Sequence, residues 1–545
     1  MSVTALPTVS PANPPAVHPV LIAGQWRASQ AAGTFRAINP RTREALPDEY
    51  PVSAWPDLDA ALAAAAQAAL VLRTLPDVAD RVAGFLESYA KGIERNVDRL
   101  AASAVAETAL AVSPRLKDVE LPRTMNQLRG AAASVRAGSW QRPTIDTKAG
   151  LRSCLGPIGP VWTIGPNNFP FAYNGVAGGD FASAIAAGNP VIAKAHPLHP
   201  TTSRLLAEIA HTASNASGLP IGSVQFLYHM NPDDGLRLIA DPRLKAVGFT
   251  GSRSGGLKLK AAADAAGKLF FGEMSSVNPV VLLPGALAEN ADAIAGQFLT
   301  SLLTGTGQFC TKPGIVVLLA GADAEAFIDQ VCVKATAAPP GLLFSEGGRT
   351  ALTTAIHTLQ QAGAQLVAGG GVFESGGFSV QNTLLRVSAD GFLRDSATFQ
   401  TEAFGSASLF VVADDLDQTR AVLESFEGNL TGSIYSAMSG ADDAAYAVLA
   451  PILRARVGRL LNDKMPTGVA VSGAMNHGGP YPATSQPHFT AVGFPAAIFR
   501  FTQLESYDNV RPQRLPPCLQ DKNPTGTMWR LIDGDWTRAD VGAVL

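Results

Sequence analysis

Charge is what this sequence has least of. Only 16% of its 545 residues are Asp, Glu, Lys or Arg, against about a quarter in an average soluble protein. The 42 basic and 45 acidic residues leave a net charge of −3, which gives no footprint for nucleic acid or an anionic membrane. Cysteine is scarce too. Cys154, Cys310, Cys332 and Cys518 are the four, too scattered for a disulfide framework, and reduced thiols imply a cytoplasmic protein. No CxxC pair and no Cys/His cluster at zinc spacing occurs, so no metal site is expected. His196 and His199 form an HxxH, but Pro197 and Pro200 forbid the helix that a metalloprotease motif needs. The longest apolar candidate, Ala60 to Leu72, spans thirteen residues with Gln67 inside it, short of the roughly twenty that cross a bilayer. It reads as a packed, Ala-rich helix. The absences point to a soluble enzyme for a small molecule.

At 47% hydrophobic, a chain of this length buries a large core. Residues 1–19 hold five prolines and no Lys or Arg, and are expected to be a flexible leader rather than a secretory signal. From about residue 156, short Val/Ile/Leu/Phe runs alternate with helical stretches. The runs are Val161 to Ile164, Pro190 to Ala193, Val224 to Leu227, Ala246 to Thr250, Leu269 to Phe271 and Val280 to Leu283. Thr202 to Ser217 and Ser254 to Ala266 lie between them as helices. This is the pattern of βαβ units around a buried parallel sheet. A second alternation starts near Ala291, with a strand at Ile315 to Leu319, and continues to Val469–Val471. Two α/β domains follow: a Rossmann-type cofactor-binding domain over 20–138 and 155–279, and a catalytic domain over 280–484. Residues 139–154 are expected to form an oligomerisation hairpin, and 485–545 a tail that wraps another subunit or the chain's own surface.

Ligands bind at the carboxyl ends of parallel strands, and several chemically useful residues fall there. Lys194 closes its strand, where an ammonium either snorkels to the surface or meets an anion. Thr250-Gly251-Ser252-Arg253 follows the next strand, a turn that lets backbone N–H groups approach a phosphate at a helix N-terminus. Asn168, between Pro166 and Pro170, serves either as an oxyanion donor or as a turn asparagine. Glu273 ends a hydrophobic strand, where a carboxylate is either a general base or a cap for the next element. Cys310 sits among glycines in Gly305-Thr306-Gly307-Gln308-Phe309-Cys310, in a loop able to present a thiol, although free cysteines are more often buried and inert.

Taken in order, Asn168-Phe169-Pro170, Lys194, Phe249-Thr250-Gly251-Ser252, Glu273, Gly307-Gln308-Phe309-Cys310 and Glu402-Ala403-Phe404-Gly405 resemble the aldehyde dehydrogenase superfamily over nearly the whole chain. Gly178-Gly179-Asp180, Glu273-Met274-Ser275-Ser276 and His477-Gly478-Gly479-Pro480-Tyr481-Pro482 are similar to one branch. That branch holds 2,5-dioxovalerate (α-ketoglutarate semialdehyde) dehydrogenases and NADP-dependent fatty aldehyde dehydrogenases. The resemblance implies that Cys310 attacks the aldehyde, Asn168 and the Cys310 N–H hold the oxyanion, and Glu273 activates water against the thioester. It implies that Glu402 and Phe404 hold the nicotinamide ribose and ring, and that Lys194 reaches the adenosine ribose. His477 is placed near the nucleophile as a proton relay or a loop-structuring residue. A homodimer or homotetramer is implied as well.

His196, two residues after Lys194, stands where NAD-specific relatives often carry an acid. With Arg253 nearby, this favours NADP, with NAD accepted. Phe171, Tyr173 and Asn174 depart from the usual pattern and are expected at the substrate tunnel. Lys312 and Thr401 also depart, from an asparagine and an acid. A cysteine hydrolase built on Cys310, His477 and Asn168 is the first alternative, but it has no use for Lys194 or Glu402. A non-catalytic scaffold needs neither Cys310 nor Glu273.

Overall fold

Strands Val161–Ile164, Val191–Lys194, Val224–Leu227, Ala246–Thr250 and Leu269–Glu273 are apolar along most of their length and largely buried. Having no wet face, such strands need cover on both sides. Helices Gly179–Ala186, Pro200–Ser217, Pro232–Ala240 and Arg253–Ala265 supply it, one in each connection. The computed structural model describes residues 17–374 and 376–542. Positions 1–16 of the expected leader lie outside the described residues, and the first strand is Val20–Ile22.

The sheet runs Leu269–Glu273, Ala246–Thr250, Val161–Ile164, Val191–Lys194, Val224–Leu227 in parallel, then antiparallel Val20–Ile22 and Gln25–Arg27. The winding reverses between Val161–Ile164 and Ala246–Thr250, and a crevice opens outside the carboxyl ends at such a point. Register sets Ile164 beside Lys194 and Phe249, and Thr250 beside Glu273. The candidate residues therefore share one edge. Behind the sheet, the Ala-rich helix Trp55–Thr74 buries Leu58, Ala61, Leu62, Ala65, Ala68 and Leu72, a stripe at helical spacing.

A second sheet has the order Gln365–Ala368, Thr383–Ser388, Ala407–Ala413, Ile315–Leu319, Val280–Leu282, Asn429–Tyr435, Val457–Asn462, with only the first strand antiparallel. The alternation ends at Val457–Asn462. Val469–Val471, expected as its last strand, is a loop beyond Gly468 at φ +95°, where the chain has left the sheet. The link from Glu273 to Val280 brings the carboxyl edge of the first sheet against the amino edge of the second. Both Cys310, before Ile315–Leu319, and Glu402, before Ala407–Ala413, lie on that amino edge.

The segment expected as a hairpin folds as Thr144–Asp146 and Leu151–Pro157, reaching three residues further than 154. The tail folds back onto it. Thr502–Asp508 pairs with Leu151–Pro157, and Arg530–Ile532 with Thr144–Asp146, making a five-stranded sheet within one chain.

Candidate active site

The nucleophile loop is built by left-handed backbone. Gly305, Thr306 and Gly307 have φ of 57°, 59° and 68°, a region in which glycine is free of Cβ strain. A Cβ on Gly307 would lie 2.2 Å from the Gly405 carbonyl oxygen, so glycine is what lets this loop touch the loop that carries Glu402. Asn278, also left-handed at φ 48°, donates its amide to the carbonyls of Cys310 and Lys312 at 2.8 and 2.9 Å. Asn429 holds that segment in turn, accepting from the Ser276 hydroxyl and the Val277 N–H at 3.0 and 2.9 Å.

Cys310 Sγ lies 3.4 Å from His477 Nε2, and the same nitrogen lies 2.9 Å from Glu273 Oε1. The three groups, drawn from remote parts of the chain, converge within 4.8 Å. Burial pushes the Cys310 thiol well up, and the Glu273 carboxylate adds to it; Arg123 pulls the other way. Asn168 is buried and donates one amide hydrogen to the Gln308 carbonyl at 2.9 Å, leaving the second beside the Cys310 loop.

A cavity of about 1060 Å³ opens onto Cys310 and His477. Its walls include Leu110, Val119, Phe169, Phe309 and Met465, with Arg115, Arg123 and Lys464 as cations. Arg115 is paired with Glu120 and lies 4.3 Å over the Phe169 ring. Arg123 differs: its terminal nitrogens donate to neutral oxygens, the Val469 carbonyl at 2.9 Å and the Tyr173 hydroxyl at 2.8 Å. Its Nε is buried without a partner. On the other side of His477, Glu273 faces a smaller space of about 40 Å³ with Asp180, Ser183, Gln127 and Arg500 in its wall. Both ends of the Gln127 amide and the Ser183 hydroxyl are buried and unpaired there, as befits a polar pocket with room for water.

Of the expected tunnel residues, Tyr173 lines the main cavity; Phe171 and Asn174 do not. Phe171 is fully buried and gives its N–H to Glu120 at 2.8 Å. Asn174 turns its amide inward to the Pro170 carbonyl and Ser203 Oγ, both at 2.9 Å, and so fixes the turn. Arg253 is engaged as well: its guanidinium grips both oxygens of Glu427 at 2.6 and 3.1 Å, a bond to the segment before strand Asn429–Tyr435 rather than a free cation.

On the same carboxyl edge of the first sheet, burial pushes Lys194 down to about 8, and its Nζ donates to the Ala195 carbonyl at 3.0 Å. The titratable groups that feel its charge are His196, His199 and His229. His196 Nδ1 accepts from Leu198 N–H at 3.2 Å. Ser252 caps helix Arg253–Ala265, accepting from Gly255 N–H, so Thr250-Gly251-Ser252 stands at that helix's positive end. Burial pushes the Glu402 carboxyl up, while Ser275, Lys312 and the Ser276 backbone pull it back. Phe404 is partly exposed on the same loop.

Lys312, noted in the sequence only as a departure, is 2% exposed. Its ammonium donates to the carbonyls of Ala403, at 2.9 Å, and Ala407. It thereby ties the nucleophile segment to the Glu402 loop. Neither it nor Arg123 carries a motif that spacing would reveal.

The aldehyde dehydrogenase family model matches residues 26–473. Alpha-ketoglutaric semialdehyde dehydrogenase 2 of Azospirillum brasilense is 39% identical, with 94% of this chain and 98% of the relative covered. Alpha-ketoglutaric semialdehyde dehydrogenase of Acinetobacter baylyi is 33% identical over 94% of this chain and 97% of its own. Among solved structures, 1-pyrroline-5-carboxylate dehydrogenase from Thermus with bound NAD superposes with a TM-score of 0.77 at 22% identity, covering 90% of this chain and 93% of that one.

Proposed function

The chain belongs to the aldehyde dehydrogenase family, and from that premise we propose that this nicotinamide-dependent oxidoreductase converts 2,5-dioxovalerate to the dicarboxylic acid. The observation that carries the substrate is Arg123, a cavity cation bonded only to neutral oxygens, beside Cys310 and within reach of a substrate's far carboxylate. Two relatives that carry the name of that activity support it.

The residues present fit a dinucleotide. Lys194 supplies an ammonium bonded to one carbonyl, Thr250-Gly251-Ser252 a helix N-terminus, and the Glu402 and Phe404 loop an anchor for the nicotinamide half. A nicotinamide held there would supply the hydride acceptor that turns the Cys310–aldehyde adduct into a thioester. His477 Nε2 takes the proton of the raised Cys310 thiol, and Sγ attacks the aldehyde. The free amide hydrogen of Asn168 and the Cys310 N–H hold the oxyanion. Glu273, facing the small polar space, takes a proton from water, which cleaves the Cys310 thioester and frees the thiol. The surroundings of Lys194 favour NADP, with NAD accepted: its titratable neighbours are imidazoles, which do not repel a 2′-phosphate as a carboxylate would. Residues 20–138 and 155–279 form the cofactor domain and 280–484 the catalytic one. The open edge strand Thr502–Asp508, where Leu504 is 69% exposed, is the surface for homodimer or homotetramer contact. Free thiols at all four cysteines suit a cytoplasmic setting, and no described helix is long and apolar enough to cross a membrane.

The cavity's volume and its apolar walls favour a second reading, oxidation of a longer alkanal. Steady-state kinetics on 2,5-dioxovalerate and pentanal separate the two. A hydrogen bond to a charged group contributes about 1.5–3 kcal/mol. Arg123→Met should therefore lower kcat/KM for 2,5-dioxovalerate by roughly 10- to 150-fold and leave pentanal nearly unchanged. Equal efficiency on both aldehydes in the wild type would reject the dicarbonyl substrate.

A further inference from the structure

Cys310, His477 and Glu273 form a metal donor set as well as a catalytic one. One ligand atom from each lies within 4.8 Å of the others, with 3.4 Å between Sγ and Nε2 and 2.9 Å between Nε2 and Oε1. A tetrahedral zinc ion, with bonds of about 2.3 Å to sulfur and about 2.0 Å to nitrogen and oxygen, sets neighbouring donors roughly 3.3–3.6 Å apart. Small side-chain rotations bridge the difference. A second observation concerns how these atoms are committed. Glu273 Oε1 is buried and accepts no hydrogen bond, although Nε2 is close, and His477 Nδ1 is buried with no partner. With the imidazole proton on Nδ1, Nε2 and Oε1 both keep lone pairs free for an ion.

We propose that this constellation is an inhibitory zinc(II) site, closed by one water or buffer oxygen from the main cavity. That cavity opens onto Cys310 and His477, which gives the ion a route in and leaves its fourth position free. When zinc binds, the Cys310 S–H bond breaks, the proton leaves to solvent and the sulfur pair forms the Zn–S bond. Nothing is oxidised or reduced. Thiolate and carboxylate together cancel the ion's two charges, against opposition from Arg123, whose charge also reaches the thiol. A set of one sulfur, one nitrogen and one oxygen suits zinc or cobalt(II); magnesium and calcium prefer oxygen alone. Inhibition follows because the ion holds both the nucleophile's electron pair and the base. That last step rests on the proposed function; metal binding itself does not.

Cobalt(II) is the probe, titrated into the full-length, cofactor-free protein. The expected result is one equivalent per subunit, a thiolate-to-cobalt charge-transfer band, and strong visible bands of tetrahedral coordination, all displaced by zinc and untouched by magnesium. Cys310→Ser should abolish the charge-transfer band, and Glu273→Gln and His477→Phe should each weaken binding at least about tenfold. Zinc should inhibit aldehyde oxidation in competition with the aldehyde, and a chelator should restore it. Absence of the band, or its persistence in Cys310→Ser, would overturn the site. If the band forms as expected but Cys310→Ser still oxidises aldehydes, the nucleophile assignment fails while the metal site stands.

Discussion

Replacing Lys312 with methionine separates what a buried charge does for stability from what it does for the site. Burial pushes its ammonium from 10.5 down to about 8, so keeping the proton inside disfavours the fold by about 3 kcal/mol at roughly 1.4 kcal/mol per pKa unit. On the other side, the Ala403 and Ala407 carbonyls lose this donor in Lys312→Met. A buried carbonyl left unpaired costs about 1–3 kcal/mol. The two effects are of similar size, so Tm should move by only a few degrees. What disappears is the tether between the Cys310 segment and the Glu402 loop. Cofactor KM is expected to rise roughly ten- to a hundredfold, the equivalent of one charged hydrogen bond, with a smaller loss in kcat at saturating cofactor.

The same residue carries a pH signature. Below about pH 8 the folded and unfolded chains both hold the Lys312 proton, and the burial penalty stands in full. From pH 8 to 10.5 the folded chain has released it while the unfolded chain keeps it. The unfolded state then binds more protons, so stability rises with pH across that window. Relative to Lys312→Met, the wild type should gain up to about 3 kcal/mol there, read from denaturant melts at several pH values. A large, pH-independent fall in Tm with cofactor KM unchanged would refute the reasoning, because Lys312 would then be a core residue with no hold on the Glu402 loop.

Three further outcomes follow from the geometry. Gly307→Ala places a Cβ 2.2 Å from the Gly405 oxygen at φ +68°, so both loops must shift; activity should fall at least about a hundredfold, while circular dichroism shows a folded protein. Arg253→Ala breaks a half-exposed ion pair with Glu427 that contributes at most about 1 kcal/mol to stability. It should leave the ratio of NADP to NAD efficiency within about twofold, whereas Lys194→Met should collapse it; the reverse pattern would return the phosphate contact to Arg253. Because burial and Glu273 hold the Cys310 thiol up, alkylation of the cofactor-free protein by iodoacetamide should keep accelerating with pH beyond the range of an ordinary thiol. A plateau below pH 8 would contradict that.

What could be read in the sequence, and what could not, follows from how each residue acts. The strands Val161–Ile164, Val224–Leu227, Ala246–Thr250 and Ile315–Leu319 stand where their apolar runs predict, because burial on both faces writes itself into local composition. Val469–Val471 has the composition of a strand and is a loop, since only a neighbouring strand, which composition does not specify, makes it pair. Lys194, Thr250 and Glu273 were legible for the same reason: they end strands, and strand ends converge in a parallel sheet. Phe171 and Asn174 show the limit of that logic. They flank a tunnel residue in sequence, yet a tight turn points one side chain into the cavity and its neighbours into the core. Spacing along the chain, likewise, sees only groups that lie on one short loop. His477 and Cys310 lie 167 residues apart and still meet at 3.4 Å. The residues that composition misses, Arg123 and Lys312, act through what their partners are not. Arg123 is notable for bonding neutral oxygens, and Lys312 for bonding carbonyls of another loop. Such properties exist only once the chain is folded, which is why strand ends could be read from the sequence and these two cations could not.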